Sequence, residues 1–478
     1  MRPVARTDPR PNIVLINCDD LGYGDLGCYG SPVHATPNID RLAAEGLLFE
    51  DFTMASPVCS PSRAAMLTGC YPPRIGFGSL DGMPVLFPGQ GVGLAPSERT
   101  IARLLHDVGY RTLMVGKWHC GDQPGFLPTD HGFERYFGLP YSNDMGRQVG
   151  TPTTATGDQL GYPPLPLLEG DRVVEQQPDQ TTLTGRYVDE VVSFLREHRD
   201  EPSFVYLAHT YVHIPVYVED RLAQASRNGR YGAGVAAIDE ATGAVLDALD
   251  ELGLADDTIV IFTSDNGALD RSQPHLPAPD PDAGAGSNLP LRGAKGTSWE
   301  GGSRVPAIVR WPGHTPAGRR TTEHASSLDL LPTLAGIAGA SIPHDRAIDG
   351  VDIAAVLFDP EATSPRASTA TYVMNDLAAV RDRRWKLHLA RHGEAVRELY
   401  DLATDRGETT DVADDHPDVV ARLEAEADRY RADLGDARLG VVGAGVRPVG
   451  RVADPRPLTT YDPTHPYVVA EYDLPDRG

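Results

Sequence analysis

Four short runs of apolar and β-branched residues stand out along the chain, each too short for a helix and bounded by polar residues. Such runs are typical of strands that are buried on both faces. We predict strands at 12–17, 112–116, 203–209 and 258–263. Because helical patterns separate them, the sequence predicts an α/β fold with a mostly parallel, mixed sheet sandwiched by helices.

The helical patterns carry start and stop signals. In "TPNIDRLAAEG", Thr36 is a good N-cap, Pro37 suits the first helical position and Gly46 suits the end. Further helices are predicted at about 184–198 and 233–252. The segment 97–109 places four apolar residues on one helical face: Ile101, Leu104, Leu105 and Val108.

A change in the pattern of predicted elements divides the chain. From about 353 to 370 the alternation of strands and helices is lost, which indicates a boundary. Beyond it, 371–390 and 396–405 read as half-exposed antiparallel strands, and a helix opens at Pro417. We therefore predict a larger α/β domain over 1–355 and a smaller C-terminal α+β domain over 356–478, built on an antiparallel sheet. Residues 270–290 are predicted to form a loop and 435–478 an irregular tail.

Charge and length narrow the classes of partner. The 478 residues include 43 basic and 67 acidic side chains, a formal charge of −24, which argues against nucleic acid or an anionic membrane as partner. No apolar run reaches the length of a membrane span. If the substrate is an anion, its binding site must be locally basic, because the protein as a whole is acidic. The start of the sequence has no apolar run before the first strand, so a cytoplasmic location is expected.

The five cysteines all lie within the first 120 residues, and no C-x-x-C pair occurs. This pattern favours neither a disulfide framework nor a zinc knuckle. Cys59 lies in "SPVCSPSRAAMLTG", where Ser60 is predicted as the N-cap of a helix that ends at Gly69. A helix N-terminus favours negative charge. A lone cysteine there is more often a small buried residue beside a turn.

Polar residues follow each predicted strand at its carboxyl end, where open α/β sheets bind ligands. Asp19 and Asp20 follow the first strand, and Asp265 and Asn266 follow the fourth. An Asp-Asp pair alone is more typical of a loop or a helix cap. Two such groups at one sheet edge instead supply the hard oxygen donors that Ca²⁺ or Mg²⁺ prefers.

The same edge receives cationic side chains that could hold a tetrahedral oxyanion. Each of them alone could be a surface charge or a satisfied histidine, and the glycine-rich "LRGAKGTSWEGG" could be an ordinary loop. As a set they indicate a metal-assisted hydrolase of an oxyanion ester. The set comprises Arg63, Lys117, His119, His213 and Lys295.

Several longer motifs resemble one family. The C-x-P-x-R core occurs as Cys59-Ser60-Pro61-Ser62-Arg63, and a second signature occurs as "GYRTLMVGKWH" over 109–119. With "NIVLINCDDLGYGDLGCYG", "LPYSNDMG", "FVYLAHTYVHIP", "TSDNG" and "ELYDLATDRGE", they resemble the type I sulfatases, especially the arylsulfatase A group of the alkaline-phosphatase-like superfamily. The resemblance extends to about residue 415.

This resemblance implies hydrolysis of sulfate esters to an alcohol and inorganic sulfate. It implies that a formylglycine-generating enzyme converts Cys59 to formylglycine, whose hydrate provides the nucleophile. It also implies a Ca²⁺ ion, with Mg²⁺ as the alternative, held by Asp19, Asp20, Cys59, Asp265 and Asn266. The implied catalytic and substrate-binding residues are Arg63, Lys117, His119, Ser142, His213 and Lys295.

Two other functions stay open from the sequence. The first is hydrolysis of phosphate or phosphonate esters by the same superfamily architecture, although phosphate monoesters commonly use a second metal. The second is binding of sulfate esters without catalysis, if Cys59 is never oxidised. The expected partner is a sulfated small molecule or sugar, and the sequence specifies neither the ester nor the oligomeric state.

Overall fold

A computed structural model of the chain describes residues 8–147, 162–270, 283–462 and 464–467. Most of the predicted 270–290 loop and the last residues of the predicted tail lie outside these ranges. The described strands are β1 (Asn12–Cys18), β2 (Leu47–Phe49), β3 (Phe52–Thr53), β4 (Val92–Gly93), β5 (Arg111–Gly116), β6 (Arg135–Gly138), β7 (Pro166–Glu169), β8 (Arg172–Gln176), β9 (Ser203–Ala208), β10 (Thr258–Ser264), β11 (Ala307–Arg310), β12 (Arg319–Thr321), β13 (Ala325–Ser326), β14 (Thr369–Val373), β15 (Asp376–Arg381), β16 (Trp385–Arg391), β17 (Glu394–Asp401) and β18 (Gly450–Arg451).

The described α-helices are α1 (Pro37–Ala44), α2 (Cys59–Thr68), α3 (Ile101–Asp107), α4 (Leu183–Glu197), α5 (Asp220–Ala225), α6 (Gly229–Leu252), α7 (Glu300–Ser303), α8 (Leu330–Ala338), α9 (Ala354–Phe358) and α10 (Pro417–Leu434). The five helices predicted before residue 355 are confirmed as α1, α2, α3, α4 and α6. Their cores match the predicted spans, with end residues shifted by a few positions.

A mixed sheet of ten strands forms the centre of the molecule, in the order β12-β2-β11-β10-β1-β9-β5-β6-β7-β8. The four strands predicted from apolar runs are β1, β5, β9 and β10. They are neighbours at the sheet centre and pair in parallel. The predicted α/β fold is therefore confirmed, and the carboxyl ends of these strands lie at one edge.

Apolar side chains cover both faces of this sheet. Along β1, Ile13 and Leu15 join one core cluster, whereas Val14 and Ile16 join another. All four side chains are fully buried. Because alternate residues of a strand point to opposite faces, helices must cover both sides, as in other sheets with a parallel centre.

The smaller sheet is antiparallel in the order β14-β15-β16-β17, as predicted. Helix α10 packs Val420, Leu423 and Ala427 into the core beside it. However, β15 and β16 are buried along nearly their whole length, and the prediction of half-exposed strands is wrong for them. The division of the chain at residue 355 stays a prediction.

Buried ion pairs explain why polar residues of β15 and β16 lie inside. Arg381 Nη2 contacts Asp51 Oδ2 at 2.6 Å and its Nη1 contacts Glu300 Oε2 at 2.7 Å. Lys386 Nζ lies 2.9 Å from Glu300 Oε1 and 3.2 Å from Glu408 Oε1. These charges compensate one another, which buried charges require. They attach the smaller sheet to the start of α7.

The described part of the predicted tail contacts segments from the first half of the chain, and β18 and β4 form a separate two-stranded sheet. Strand β18 pairs antiparallel with β4, and Thr459 Oγ1 donates a hydrogen bond of 2.5 Å to the carbonyl of Pro164. The tail is otherwise irregular, as predicted, apart from a turn of 3₁₀ helix at Ala437–Leu439. Among the described residues, no helix has the length and apolar character needed to cross a membrane.

Candidate active site

Three carboxylates meet at the carboxyl end of the central strands. One oxygen each of Asp19, Asp20 and Asp265 lies within 4.8 Å of the others, and all three side chains are buried. Asp19 and Asp20 follow β1, and Asp265 follows its parallel neighbour β10, so the pairing of Cys18 with Ser264 brings them together. The edge predicted from the sequence therefore does gather these acids.

The donor set fits a hard divalent cation. Asp19 Oδ1 and Asn266 Oδ1 are buried and have no hydrogen-bond partner among the residues that the structure describes. Burial, followed by the charge of Asp19, raises the pKa of Asp265 to about 7. Unpartnered oxygens and crowded carboxylates are what a bound cation satisfies. Asp19, Asp20, Asp265 and Asn266 together offer oxygen ligands of the kind that Ca²⁺ and Mg²⁺ take.

Two lysines approach the carboxylates from different loops. Lys117 Nζ donates to Asp19 Oδ2 at 2.6 Å and to Ser142 Oγ at 3.3 Å. Lys295 Nζ donates to Asp20 Oδ2 at 2.9 Å. Burial disfavours both charges, yet the neighbouring acids raise the pKa of each lysine above its ordinary value. Both ammonium groups are therefore charged at neutral pH.

Arg63 supports the acidic cluster from α2. Its Nε donates to Asp265 Oδ2 at 2.7 Å and its Nη1 donates to the carbonyl of Lys117 at 2.8 Å. Burial by itself raises the pKa of Asp19, but Lys117 and Arg63 outweigh it and hold that pKa well below its usual range. Within the described structure, Arg63 Nη2 keeps no hydrogen-bond partner. Nη2 also lies 3.7 Å from Asp19 Oδ2, so Arg63 positions two of the three acids.

Cys59 is the first residue of α2, and the residue is 2% exposed. The prediction of Ser60 as N-cap is wrong: the cap position is Val58, and Ser60 Oγ accepts a hydrogen bond of 3.1 Å from Leu86 N. The predicted helix end at Gly69 is confirmed, with φ of 65°. Ser62 Oγ donates to the carbonyl of Asp265 at 2.5 Å, which seats the helix against the acidic cluster.

The Cys59 thiol lies close enough to the charged groups of the site for them to shift its pKa. Burial raises its pKa, while Lys117 and Lys295 act in the opposite direction without reversing the shift. A thiol with a raised pKa stays protonated at neutral pH and is a poor nucleophile. An unmodified Cys59 is therefore badly suited to attack an ester.

Two histidines face the same region, and their hydrogen bonds fix their tautomers. His119 Nε2 lies 3.0 Å from the carbonyl of Leu86, so it carries the proton and leaves Nδ1 as an acceptor. His213 Nδ1 lies 2.7 Å from the carbonyl of Ile214, which leaves Nε2 facing Asp20 Oδ2 at 3.9 Å. Burial and the nearby lysines lower the pKa of both rings, so both are neutral.

The structure thus brings every predicted site residue to this edge of the sheet. It also adds Asp144, which the sequence analysis did not select. Its Oδ1 is buried without a partner in the described part of the chain, and its charge raises the pKa of His213 against the stronger effect of burial. Its position two residues after Ser142, in "LPYSNDMG", was the available signal.

One edge of a mixed α/β sheet thus carries a buried oxygen-donor cluster, two lysines and a cysteine at a helix N-terminus. The family model described as "Sulfatase" matches residues 11–340. A second, "N-sulphoglucosamine sulphohydrolase, C-terminal", matches residues 294–433. The chain belongs to the sulfatase family and is a sulfuric ester hydrolase.

Individual relatives agree with the family model. The chain is 39% identical to human arylsulfatase A over 93% of this chain and 91% of that protein. It is 36% identical to mouse steryl-sulfatase, covering 91% of this chain and 84% of the relative. The crystal structure of Ps i-CgsB in complex with k-i-k-neocarrahexaose superposes with a TM-score of 0.74 at 30% identity, covering 88% of this chain and 92% of that one.

The predicted cytoplasmic location is wrong. The homologous sulfatases, arylsulfatase A and steryl-sulfatase among them, are lysosomal or endoplasmic-reticulum proteins. The prediction is based on the lack of an apolar run before β1. The residues before β1 do not determine the cellular compartment.

Proposed function

We propose that this sulfuric ester hydrolase acts through a formylglycine made from Cys59 by a formylglycine-generating enzyme. We further propose that it works with a divalent cation, Ca²⁺ in preference to Mg²⁺. The observation that carries the proposal is the position of Cys59. Its buried side chain opens α2 beside three clustered carboxylates and two lysines, and its thiol is held protonated.

Asp19, Asp20, Asp265 and Asn266 would hold the cation together with the modified residue 59. When bound, the cation supplies positive charge that favours deprotonation of a nearby hydroxyl and stabilises developing negative charge. The hydrated aldehyde would supply two hydroxyls on one carbon, one for attack on sulfur and one whose deprotonation releases sulfate by C–O cleavage.

Sulfate binding, proton transfer and positioning are assigned to different side chains of the site. Lys117 and Ser142, joined by a 3.3 Å hydrogen bond, offer donors to the sulfate oxygens. His119 Nδ1 has no hydrogen-bond partner in the described part of the chain, and a neutral ring with such an acceptor can take a proton from a hydroxyl. Arg63 keeps Asp265 in place and adds positive charge near the helix N-terminus.

Protonation of the leaving alcohol falls to Lys295 in this proposal, with His213 beside it. Lys295 is charged, so its ammonium has a proton to give. His213 is neutral, and its Nδ1 proton is engaged with the carbonyl of Ile214. A neutral imidazole whose free nitrogen is an acceptor orients a hydroxyl more readily than it protonates one.

Mass spectrometry and turnover together test the proposal. Protein produced with a formylglycine-generating enzyme should show an aldehyde or its hydrate at residue 59 and should release sulfate from 4-nitrophenyl sulfate or a sulfated sugar. Protein produced without that enzyme should keep the thiol and be inactive. Full activity with an intact thiol would contradict the mechanism, and an aldehyde-bearing protein without turnover would favour a binding role.

Parallel assays with 4-nitrophenyl phosphate and a phenylphosphonate ester test the alternative chemistry. The proposal expects kcat/KM for the sulfate to exceed that for either phosphorus ester. Among the residues that the structure describes, one cluster of carboxylates could hold a metal ion, which supports one cation, whereas phosphate monoesters commonly use two. A preference for phosphate would contradict this part of the proposal.

A further inference from the structure

A cavity of about 110 Å³ lies between the loop that follows Lys295 and the smaller sheet. The loop contributes residues 296–299, and the sheet contributes β14, β15, the end of β16 and the turn between β16 and β17. Its lining includes the side chains of Trp299, Asp376, Arg391 and His392. None of them belongs to the site described above.

The cavity begins one residue beyond the catalytic centre. Lys295 Nζ contacts Asp20 Oδ2 at 2.9 Å, and the next residue, Gly296, donates its N–H to the carbonyl of Pro57 at 2.9 Å. Pro57 lies two residues before Cys59. The backbone that carries Lys295 into the site therefore forms one wall of the cavity.

Three polar groups of the cavity walls have unused hydrogen-bonding capacity. Among the residues that the structure describes, neither the Asp376 carboxylate nor the His392 ring has a hydrogen-bond or ion-pair partner, and Arg391 Nε is buried without one. The rest of the Arg391 guanidinium is fixed, because it pairs with Glu398 and lies 4.2 Å from the centre of the Trp299 ring.

The remaining walls are apolar. Val373, Ala378 and Ala390 line the cavity together with Trp299, and the alanines are buried. A Cβ placed on Gly296 or Gly393 would meet no atom within 4 Å, so both glycines stand at an open mouth. The cavity thus combines an apolar floor with one acceptor, one donor and one imidazole.

This combination suits a sugar better than an aryl or steroid group. A sugar hydroxyl both donates and accepts, so it can pair with a carboxylate, an Arg N–H or a histidine ring, and the C–H face of the ring can rest on apolar walls. An apolar leaving group would instead bury the Asp376 carboxylate without a partner, which is unfavourable.

Resting on the proposed function, we propose that this cavity is a subsite for a hydroxylated sugar on the leaving-group side of the sulfate ester. Asp376 accepts a hydroxyl proton, while Arg391 Nε and His392 complete the contacts. Substrate specificity then depends on the smaller sheet, whereas sulfate recognition depends on the larger one.

The test compares two substrates on matched variants of the full-length, formylglycine-bearing protein. Asp376→Asn removes the carboxylate with little change in shape. His392→Asn removes the ring and keeps a residue that tolerates the φ of 51° found there. Glu394→Gln, an exposed change on the same hairpin outside the cavity, is the control. The substrates are 4-nitrophenyl sulfate and the best-cleaved sugar among the 6-sulfates of galactose, glucosamine and N-acetylgalactosamine.

The Asp376→Asn variant should lose about 10-fold or more in kcat/KM for the sugar sulfate, since one hydrogen bond to a charged group is lost. His392→Asn should lose less, and neither variant should change 4-nitrophenyl sulfate turnover by more than about 2-fold. Glu394→Gln should leave both substrates unchanged.

Equal effects on both substrates, or no effect on the sugar sulfate, would overturn the subsite. Cleavage of 4-nitrophenyl sulfate with no sugar sulfate cleaved would also overturn it, while leaving the proposed function standing. Release of sulfate from none of these esters by protein with a verified aldehyde would contradict the proposed function itself.

Discussion

Lys295 provides the sharpest test of how the leaving group departs, because the residue can act by charge or by proton donation. Its Nζ lies 2.9 Å from Asp20 Oδ2, and the side chain is 12% exposed. In Lys295→Ala, Asp20 still accepts a hydrogen bond of 2.7 Å from Asn266 Nδ2. The cluster therefore keeps a partner for Asp20, and the variant should fold.

The two roles differ in magnitude between substrates. At about 4 Å and an effective dielectric constant of about 20, one unit charge contributes about 4 kcal/mol, and this contribution is shared by all sulfate esters. Proton donation adds about 10²-fold to 10⁴-fold, but only where the departing oxygen is basic. Nitrophenolate hardly needs the proton, whereas a sugar or alkyl alkoxide does.

The assay is kcat/KM of Lys295→Ala for 4-nitrophenyl sulfate and for an alkyl or sugar sulfate. We expect the alkyl or sugar ester to lose at least about 100-fold more than the aryl ester, about 2.7 kcal/mol of additional barrier. A folding defect cancels from this ratio. Lys295→Arg is the matched control: it keeps the charge but donates a proton poorly, so it should restore the aryl ester more than the alkyl ester.

Equal losses on the two esters would refute proton donation by Lys295. The residue would then act by charge alone, and His213 would become the candidate acid.

The remaining predictions concern the nucleophile, the cation and the buried ion pairs. Cys59→Ser should fold but lose multiple turnover, since a sulfated serine cannot release sulfate by C–O cleavage; sustained sulfate release would contradict this. Removal of divalent cations should abolish turnover and lower the Tm, because crowded carboxylates then face one another. Added Ca²⁺ should restore both, and a verified metal-free enzyme with full activity would rule this out. Arg381→Ala should lower the free energy of unfolding, measured with urea, by about 3–5 kcal/mol, because the buried carboxylates of Asp51 and Glu300 lose a positive partner. In contrast, Arg384→Ala, which removes an exposed partner of Asp401, should cost about 0–1 kcal/mol, and equal costs would contradict the role of burial.

The sequence was sufficient for the parts of the fold that depend on long, regular patterns. Strands β1, β5, β9 and β10 were predictable because they are apolar throughout and lie at the sheet centre. Strands such as β2, β3 and β13 have only two or three residues and show no period. Tertiary packing, rather than local pattern, determines that they pair.

The chemistry of the site was predictable for a related reason. Parallel strands deliver the residues after their carboxyl ends to one edge, so Asp19, Asp20, Asp265 and Asn266 could be grouped without a structure. Which side chains would bond to which could not be predicted. Ser60 illustrates this: its residue type favours an N-cap, but its hydroxyl accepts from Leu86 N, a contact 26 positions away in sequence.

The burial of charged residues in the smaller sheet differs from the half-exposed strands that the sequence predicts. Lys386 and His388 alternate with apolar residues along β16, a pattern typical of a strand with one solvent-exposed face. Instead Glu300 and Glu408 cover that face, and they come from α7 and from the segment after β17. Alternation indicates which residues share a face, and it does not indicate what covers that face.

The burial of Cys59 has a consequence for the order of events during synthesis. The residue is 2% exposed, and the helix that carries it is fastened to Asp265 through Ser62. Asp265 is added about 200 residues after Cys59, and β10 must pair with β1 before the two can meet. Under the proposed function, the enzyme that oxidises this cysteine would have to reach it while the polypeptide is still growing or newly released, before the central sheet closes. A mutation that speeds folding of the larger sheet would shorten that interval and lower the fraction of modified protein without touching any residue of the site.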